Sequence, residues 1–174
     1  QYHFQDVLVN YDERTAVNIK DLKIKQGEKI GIIGPVGAGK STLLKLLSGL
    51  FKPTSGRVML DGIDLSHISK PIIAEHIGYV QQEGRLFSGT LRENLILGLV
   101  DPGDDAILYA AEISGLQQAL IAKHPMGLQC PIAEGGTGLS GGQKQLVNLT
   151  KVFLRQPKIW LLDEPTASID RTFE

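Results

Sequence analysis

Eight consecutive residues, Gly34-Pro35-Val36-Gly37-Ala38-Gly39-Lys40-Ser41, constrain this chain more than any other stretch. They fit G-x-x-x-x-G-K-[ST], the pattern of a loop that wraps a phosphate. The flanks agree with it. The apolar run Ile30-Gly31-Ile32-Ile33 predicts a buried strand ahead of the loop, and Leu43, Leu44, Leu46, Leu47 and Leu50 follow at helical spacing. A strand, a glycine loop and a helix N-terminus aim successive backbone N–H groups at an anion, and the helix dipole adds to the attraction. The glycines let the backbone come close to phosphate and turn where a β-carbon would clash. Lys40 is then placed to neutralise the β- and γ-phosphates and the Ser41 hydroxyl to hold Mg²⁺, with Thr42 next in the helix as a further contact. The plain alternative is an ordinary Gly-rich turn before a helix. Strand, loop, Lys-Ser and helix in one register speak against it.

Two later stretches carry chemistry of the same kind. The continuous apolar run Ile159-Trp160-Leu161-Leu162 predicts a central parallel strand, and it ends in Asp163-Glu164-Pro165. Open α/β sheets place ligand chemistry at that end of a strand. Asp163 suits the oxygen shell of a nucleotide-bound Mg²⁺, and Glu164 is free to polarise an attacking water as a general base. The stretch Leu139-Ser140-Gly141-Gly142-Gln143 combines a capping box, S-x-x-Q, with two glycines at a helix start. That makes Ser140, Gly141, Gly142 and Gln143 a second anion site. Two half-sites for phosphate in one chain suggest that each is completed by another copy.

The rest reads as framework. Phe4, Val7, Val9 and Tyr11, then Val17, Ile19, Leu22 and Ile24, alternate with polar residues as in an antiparallel sheet with one wet face. Asp61-Gly62, between Val58-Met59-Leu60 and Ile63-Asp64-Leu65, predicts a hairpin with a type I′ turn. A strand is expected over Ile77–Val80, a capping box at Thr90-Leu91-Arg92-Glu93, and a helix from near Asp104-Asp105 to Gly115. Residues 123–138 read as a connecting loop. After the second capping box, Leu146, Val147, Leu149, Val152, Phe153 and Leu154 line a helix that Gln156-Pro157 stops.

A chain of 174 residues holds one solid core with room for a smaller inserted lobe. Net charge is −1 and Lys and Arg form no cluster, which gives nucleic acid no electrostatic footprint. Cys130 is the one cysteine, so no internal disulfide forms, and it reads as a small buried residue. No apolar run approaches the ~18 residues of a membrane span, and no signal peptide is visible. A start at Gln1 rather than Met reads as a piece of something longer.

Together these motifs resemble the nucleotide-binding domain of ATP-binding cassette (ABC) transporters, through nearly the whole chain. The resemblance implies an α/β fold with a P-loop NTPase (RecA-like) core, an antiparallel β-subdomain from the early strands and an inserted α-helical subdomain over roughly 85–150, all in one cassette spanning 1–174. Tyr11 matches the family's adenine-stacking aromatic, Gly34 to Ser41 its Walker A, and Gln82 its Q-loop glutamine, which implies a metal and catalytic role for Gln82. Leu139 to Gln143 match the signature, Ile159 to Asp163 Walker B, Glu164 the catalytic glutamate, and Ala167-Ser168-Ile169-Asp170 the D-loop. ATP and Mg²⁺ are the implied ligands. The implied partners are a second cassette and the transmembrane domain of an exporter on the same polypeptide, at the cytoplasmic face of the membrane. Leu86 to Asn94 is similar to the exporter version of the segment after the Q-loop, and Glu134-Gly135-Gly136 to the exporter X-loop. Among exporters the pattern is most similar to the cassettes of bacterial type I protein secretion.

The chain departs from the family at several points. The signature helix continues Lys144-Gln145-Leu146 and Leu149-Thr150-Lys151 where Arg-Gln-Arg and Ala-Arg-Ala are usual, and Lys144 keeps the charge without the planar fork. Gln81 stands where a proline is common, and the X-loop lacks its arginine. The family's switch histidine follows Walker B by a few tens of residues, whereas His3, His67, His76 and His124 all precede it. The expectation is that residues 1–174 bind nucleotide but hydrolyse it slowly. Against the reading as an ATPase that powers export stands a regulatory or scaffold domain that changes shape on ATP without useful turnover. A DNA-repair ATPase fits less well, since no sustained heptad pattern appears.

Overall fold

Alternating side chains and tight turns build the first part of the molecule. The computed structural model describes residues 1–81 and 84–164, in two units, Gln1–Ile77 and Gly78–Glu174. Gln82 and the D-loop match at Ala167–Asp170 lie outside the described residues.

In the first unit β1 (Tyr2–Tyr11) and β2 (Arg14–Ile24) pair antiparallel, and β3 (Ser55–Leu60) and β4 (Ile63–Asp64) extend them to a sheet of order β2-β1-β3-β4. This is the antiparallel sheet expected of the early residues. Phe4, Val7, Val9, Val17 and Val58 are buried on one face. Phe4 and Val7 share that face although three residues apart. Between them Asp6 takes a left-handed φ of 47°, and the β1–β3 register shifts between Gln5 and Leu8. The extra residue of this bulge restores the phase of the alternation. The Asp61-Gly62 turn has positive φ at both positions, 49° and 82°, with Leu60 opposite Ile63, as a type I′ hairpin requires.

The phosphate-loop helix α1 spans Lys40–Leu47 and buries Leu44, Leu46 and Leu47. It is shorter than the leucine spacing suggests. Ser48 caps it, Gly49 turns away at φ 68°, and Leu50 is exposed beyond the end. The Tyr2 hydroxyl donates to the Leu47 carbonyl (2.7 Å) and ties the end of α1 to β1. A second helix, α2, spans Lys70–His76. The strand expected over Ile30–Ile33 is not formed: those residues are irregular, with Ile33 98% and Ile30 53% exposed. An apolar run becomes a strand only when a neighbour takes its hydrogen bonds. None of the four strands of this sheet pairs with it.

In the second unit β5 (Ile77–Val80), the strand expected there, pairs with β8 (Ile159–Leu162). β8 forms where expected, but it is not buried on both faces: Leu161 is buried while Trp160 and Leu162 are exposed. Among the described residues β5 is the strand that β8 pairs with. Helices α3 (Leu91–Ile96), α4 (Asp104–Ser114), α5 (Leu116–Ala119) and α6 (Gly141–Arg155) surround a cluster that includes Leu86, Leu91, Leu95, Ile107, Leu116 and Val147. Both expected capping boxes are present, Thr90 with Glu93 and Ser140 with Gln143. Gly115 ends α4 in the left-handed conformation.

The loop expected over 123–138 is more structured than its composition suggests. Its Pro131–Ile132 is a short strand, β7, paired with β6 (Gly89–Thr90), and 3-10 turns lie at Gly127–Gln129 and Glu134–Gly136. Leu91 N–H donates to the Cys130 carbonyl (2.8 Å), so partners distant in sequence order a segment that lacks apolar periodicity. Cys130 is buried, as read. On α6 the hydroxyls of Thr150 and Ser114 of α4 lie 2.6 Å apart, and Thr150 also donates to Leu146 O (2.7 Å).

Candidate functional site

The first unit carries the phosphate loop with the aromatic expected to stack on adenine. Gly37 and Gly39 hold φ of 79° and 88°, backbone that side chains with a β-carbon rarely adopt. A β-carbon on Gly39 would also collide with the Ala16 carbonyl oxygen of β2. Lys40 sends its ammonium back over the loop, donating to Gly34 O (2.7 Å) and Pro35 O (2.9 Å). Its charge thus lies against the mouth of the cradle. Ser41 is exposed and Thr42 half-buried, at the first turn of α1. Pro35, Val36 and Ala38 form the exposed rim, with Ala38 N–H bonded to Pro35 O (3.2 Å).

Tyr11 ends β1, 44% exposed, with its ring 5.7 Å from that of Phe51 and tilted 44°. The ring is thus in contact with one aromatic neighbour and keeps part of its surface exposed. Directly across the hairpin from Tyr11 lies Arg14, which donates to Gly37 O at 2.9 Å. Neither Arg14 nor Phe51 was picked out from sequence. The two-residue Asp12-Glu13 turn is the signal that could have found Arg14, because it sets residues 11 and 14 opposite each other.

The second unit carries the carboxylates and the other helix terminus. Asp163 N–H donates to Val80 O (2.9 Å), which fixes the end of β8 on β5. Asp163 is 8% exposed, and its carboxylate accepts from the Tyr79 hydroxyl at 3.4 Å. Burial, reinforced by the Asp163 charge, pushes the Tyr79 phenol up to about 12, so it stays a donor throughout the neutral range. Glu164 follows with a left-handed φ of 47°, and Gln145 of α6 donates its side-chain amide to the Glu164 carbonyl (2.7 Å). Neither Tyr79 nor Gln145 was identified from sequence.

At the start of α6, Ser140 Oγ accepts from Gln143 N–H (3.1 Å) and Gln143 Oε1 from Ser140 N–H (2.9 Å). Gln143 Nε2 also reaches Ala119 O (3.1 Å), so this side chain, read as a ligand contact, is engaged in shaping the turn. Gly141 is exposed and Gly142 half-buried. The two segments read as exporter-like also meet, through Ser88 N–H to Glu134 Oε2 (3.2 Å) and Gly135 N–H to Leu86 O (3.0 Å).

Taken separately, the donor set of the loop suits a phosphorylated ligand and that of Asp163 a hard cation. The loop presents N–H groups, an ammonium and a hydroxyl, and Asp163 presents carboxylate oxygen. Among the described residues no group of three or more His, Cys, Asp and Glu gathers to hold a metal. A cation at Asp163 would need oxygens beyond that carboxylate, and a phosphorylated ligand carries them.

Comparison with known proteins identifies this arrangement. Residues 17–167 match the family model described as ABC transporter. The chain belongs to the ABC transporter family. The cassette is 38% identical over 172 residues to an ABC transporter ATP-binding protein of Bacillus subtilis, YwjA, covering 98% of this chain and 30% of that protein. It is 36% identical over 172 residues to human ATP-binding cassette sub-family B member 6, covering 98% of this chain and 20% of the relative. Among solved structures, a bacterial Atm1-family ABC exporter with ATP bound superposes with a TM-score of 0.90 at 31% identity, over 98% of this chain and 30% of that one. The cassette thus spans a third or less of these proteins. Its fold is that of the family's ATPase domain, an α/β P-loop NTPase with an antiparallel β-subdomain and a helical subdomain, as the resemblance implied.

Proposed function

We propose that this cassette binds Mg²⁺–ATP between two copies of itself and hydrolyses it to drive export across a membrane. The observation that carries the reading is the presence of two glycine-opened helix starts suited to anions in one chain, the phosphate loop before α1 and the capped start of α6. Tyr11 supplies the platform for the base, Gly34 to Thr42 the cradle for the phosphates, and Lys40 their main charge. Ser140 to Gln143 would complete the site of the other copy. Ser41 and Asp163, with Gln82, are the groups suited to hold Mg²⁺, which when bound neutralises charge on the phosphates. Glu164 takes the proton of the attacking water. A shape change that both copies share is what a membrane partner could use.

The exporter reading draws support from the Atm1-family likeness and from the contact between Leu86–Asn94 and Glu134–Gly136. Those two segments also underlie the finer reading of a type I secretion cassette. The wider exporter class has the broader support, since human ATP-binding cassette sub-family B member 6 is among the relatives. The partner is then a transmembrane domain, with the cassette at its cytoplasmic face.

Sedimentation equilibrium tests the two-copy mechanism. The Glu164→Gln variant, which keeps its ATP, should associate with saturating Mg-ATP and separate with Mg-ADP; the same mass in both would end the proposal. The base platform has its own test. Tyr11→Ala should weaken ATP binding by ~1–3 kcal/mol, the range of one base–aromatic stack, whereas Tyr11→Phe stays close to wild type. Equilibrium dialysis showing wild-type affinity for Tyr11→Ala would make Tyr11 a strand residue only.

A further inference from the structure

We infer that Gln145 is a positioning residue that sets the backbone, and through it the carboxylate, of Glu164. The inference rests on the reading of Glu164 as the general base.

Gln145 lies on α6, two residues beyond the signature glutamine, and is 4% exposed. Its neighbours Leu146 and Val147 belong to the apolar cluster, and a glutamine is a poor choice for such a place. Burying a side-chain amide is unfavourable unless its hydrogen bonds are met. Here the amide Nε2 meets the Glu164 carbonyl oxygen at 2.7 Å. The receiving residue is itself unusual. Glu164 sits at φ 47°, a conformation disfavoured for any residue with a β-carbon, and it persists only where the surroundings hold it.

Strand β8 fixes Asp163 through Val80, and the backbone turns left-handed at Glu164, one residue past that bond. The Gln145 amide contacts the chain at that point. The backbone of Glu164 sets its Cα–Cβ direction, so the clamp fixes the point from which the proton-accepting carboxylate reaches out. General-base catalysis depends on that placement, and a misplacement of about 1 Å costs up to about 10²-fold in rate. Helix α6 is stiff enough to serve as the mount. Its first turn is closed by the Ser140–Gln143 capping box, and its middle is held by the Ser114–Thr150 hydroxyl pair.

The experiment is steady-state phosphate release and ATP affinity in the full-length protein. Gln145→Met keeps length and volume but has no donor; Gln145→Glu keeps shape and polarity but has none either; Gln145→Lys keeps an N–H donor on an unbranched chain. The Met and Glu variants should lose about tenfold to 10²-fold in kcat, with KM and ATP affinity within about twofold of wild type. The Lys variant should recover most of the lost rate. In a Glu164→Gln background Gln145→Met should cause no further loss, because a residue that acts through Glu164 has nothing left to place.

A Met variant that turns over within about twofold of wild type overturns the inference. So does an unchanged loss in the Glu164→Gln background. If the Met and Glu variants both lose their thermal transition and ATP affinity, Gln145 is a packing residue and the inference also fails. Full turnover by Glu164→Gln is a separate failure, that of the general-base reading itself.

Discussion

Replacing Lys40 by alanine will remove ATP binding from the range that calorimetry measures. The Lys40 ammonium is seated on the loop, bonded to Gly34 O and Pro35 O at 2.7 and 2.9 Å, with the Arg14 guanidinium farther along it on Gly37 O. A hydrogen bond to a charged group contributes about 1.5–3 kcal/mol net, so losing two such contacts to phosphate corresponds to a factor of about 10²–10⁴ in Kd. The substitution also takes the Lys40 donor from Gly34 O and leaves Pro35 O with Ala38 N–H, which loosens the cradle that must close on the anion. Lys40→Arg should rescue poorly, because a planar guanidinium does not fit where a compact ammonium reaches back over its own loop. Affinity within about threefold of wild type for Lys40→Ala would mean that Gly34 to Ser41 is only a turn.

Glu164→Gln will separate binding from turnover. Glutamine keeps the size and the backbone carbonyl that Gln145 holds, but it cannot accept the proton of an attacking water. General-base catalysis is worth about 10²–10⁴ in rate, so phosphate release should fall by that factor while ATP affinity stays unchanged. With binding intact and hydrolysis blocked, the two-copy state should persist in Mg-ATP long after the wild type has dissociated. Sedimentation velocity at intervals after mixing gives the comparison. A mutant that stays monomeric at saturating Mg-ATP counts against the sandwich, and one that releases phosphate at the wild-type rate counts against Glu164 as base.

The features legible in the sequence were those set by neighbours a few residues apart. Asp61-Gly62 specifies its own turn, Thr90 and Ser140 close their own helix starts, and Gly34 to Ser41 carries its loop conformation in its glycines. What stayed hidden depends on distant partners. Tyr79 reaches Asp163 across 84 residues, Arg14 reaches Gly37 across 23, and Gln145 reaches Glu164 across 19. None of these pairs leaves a periodic trace, and Gln145 reads only as a polar residue beside an apolar stripe. Ile30–Ile33 shows the converse: its hydrophobicity signalled a strand, but a strand needs a partner as well as a composition. The bulge at Asp6 was written in the spacing of Phe4 and Val7, where three residues replace two, and only the left-handed φ explains it.

The contact of Arg14 with Gly37, together with the seat of Gly39 against Ala16, joins the hairpin that carries Tyr11 to the phosphate loop. On the proposed reading of Tyr11 and the phosphate loop, a ligand that has docked one end finds the other receptor held at a set span. The second contact then forms at an effective concentration rather than from bulk solution, as in a chelate. Adenosine and triphosphate offered as two separate molecules forfeit that advantage, however well each fits its own surface.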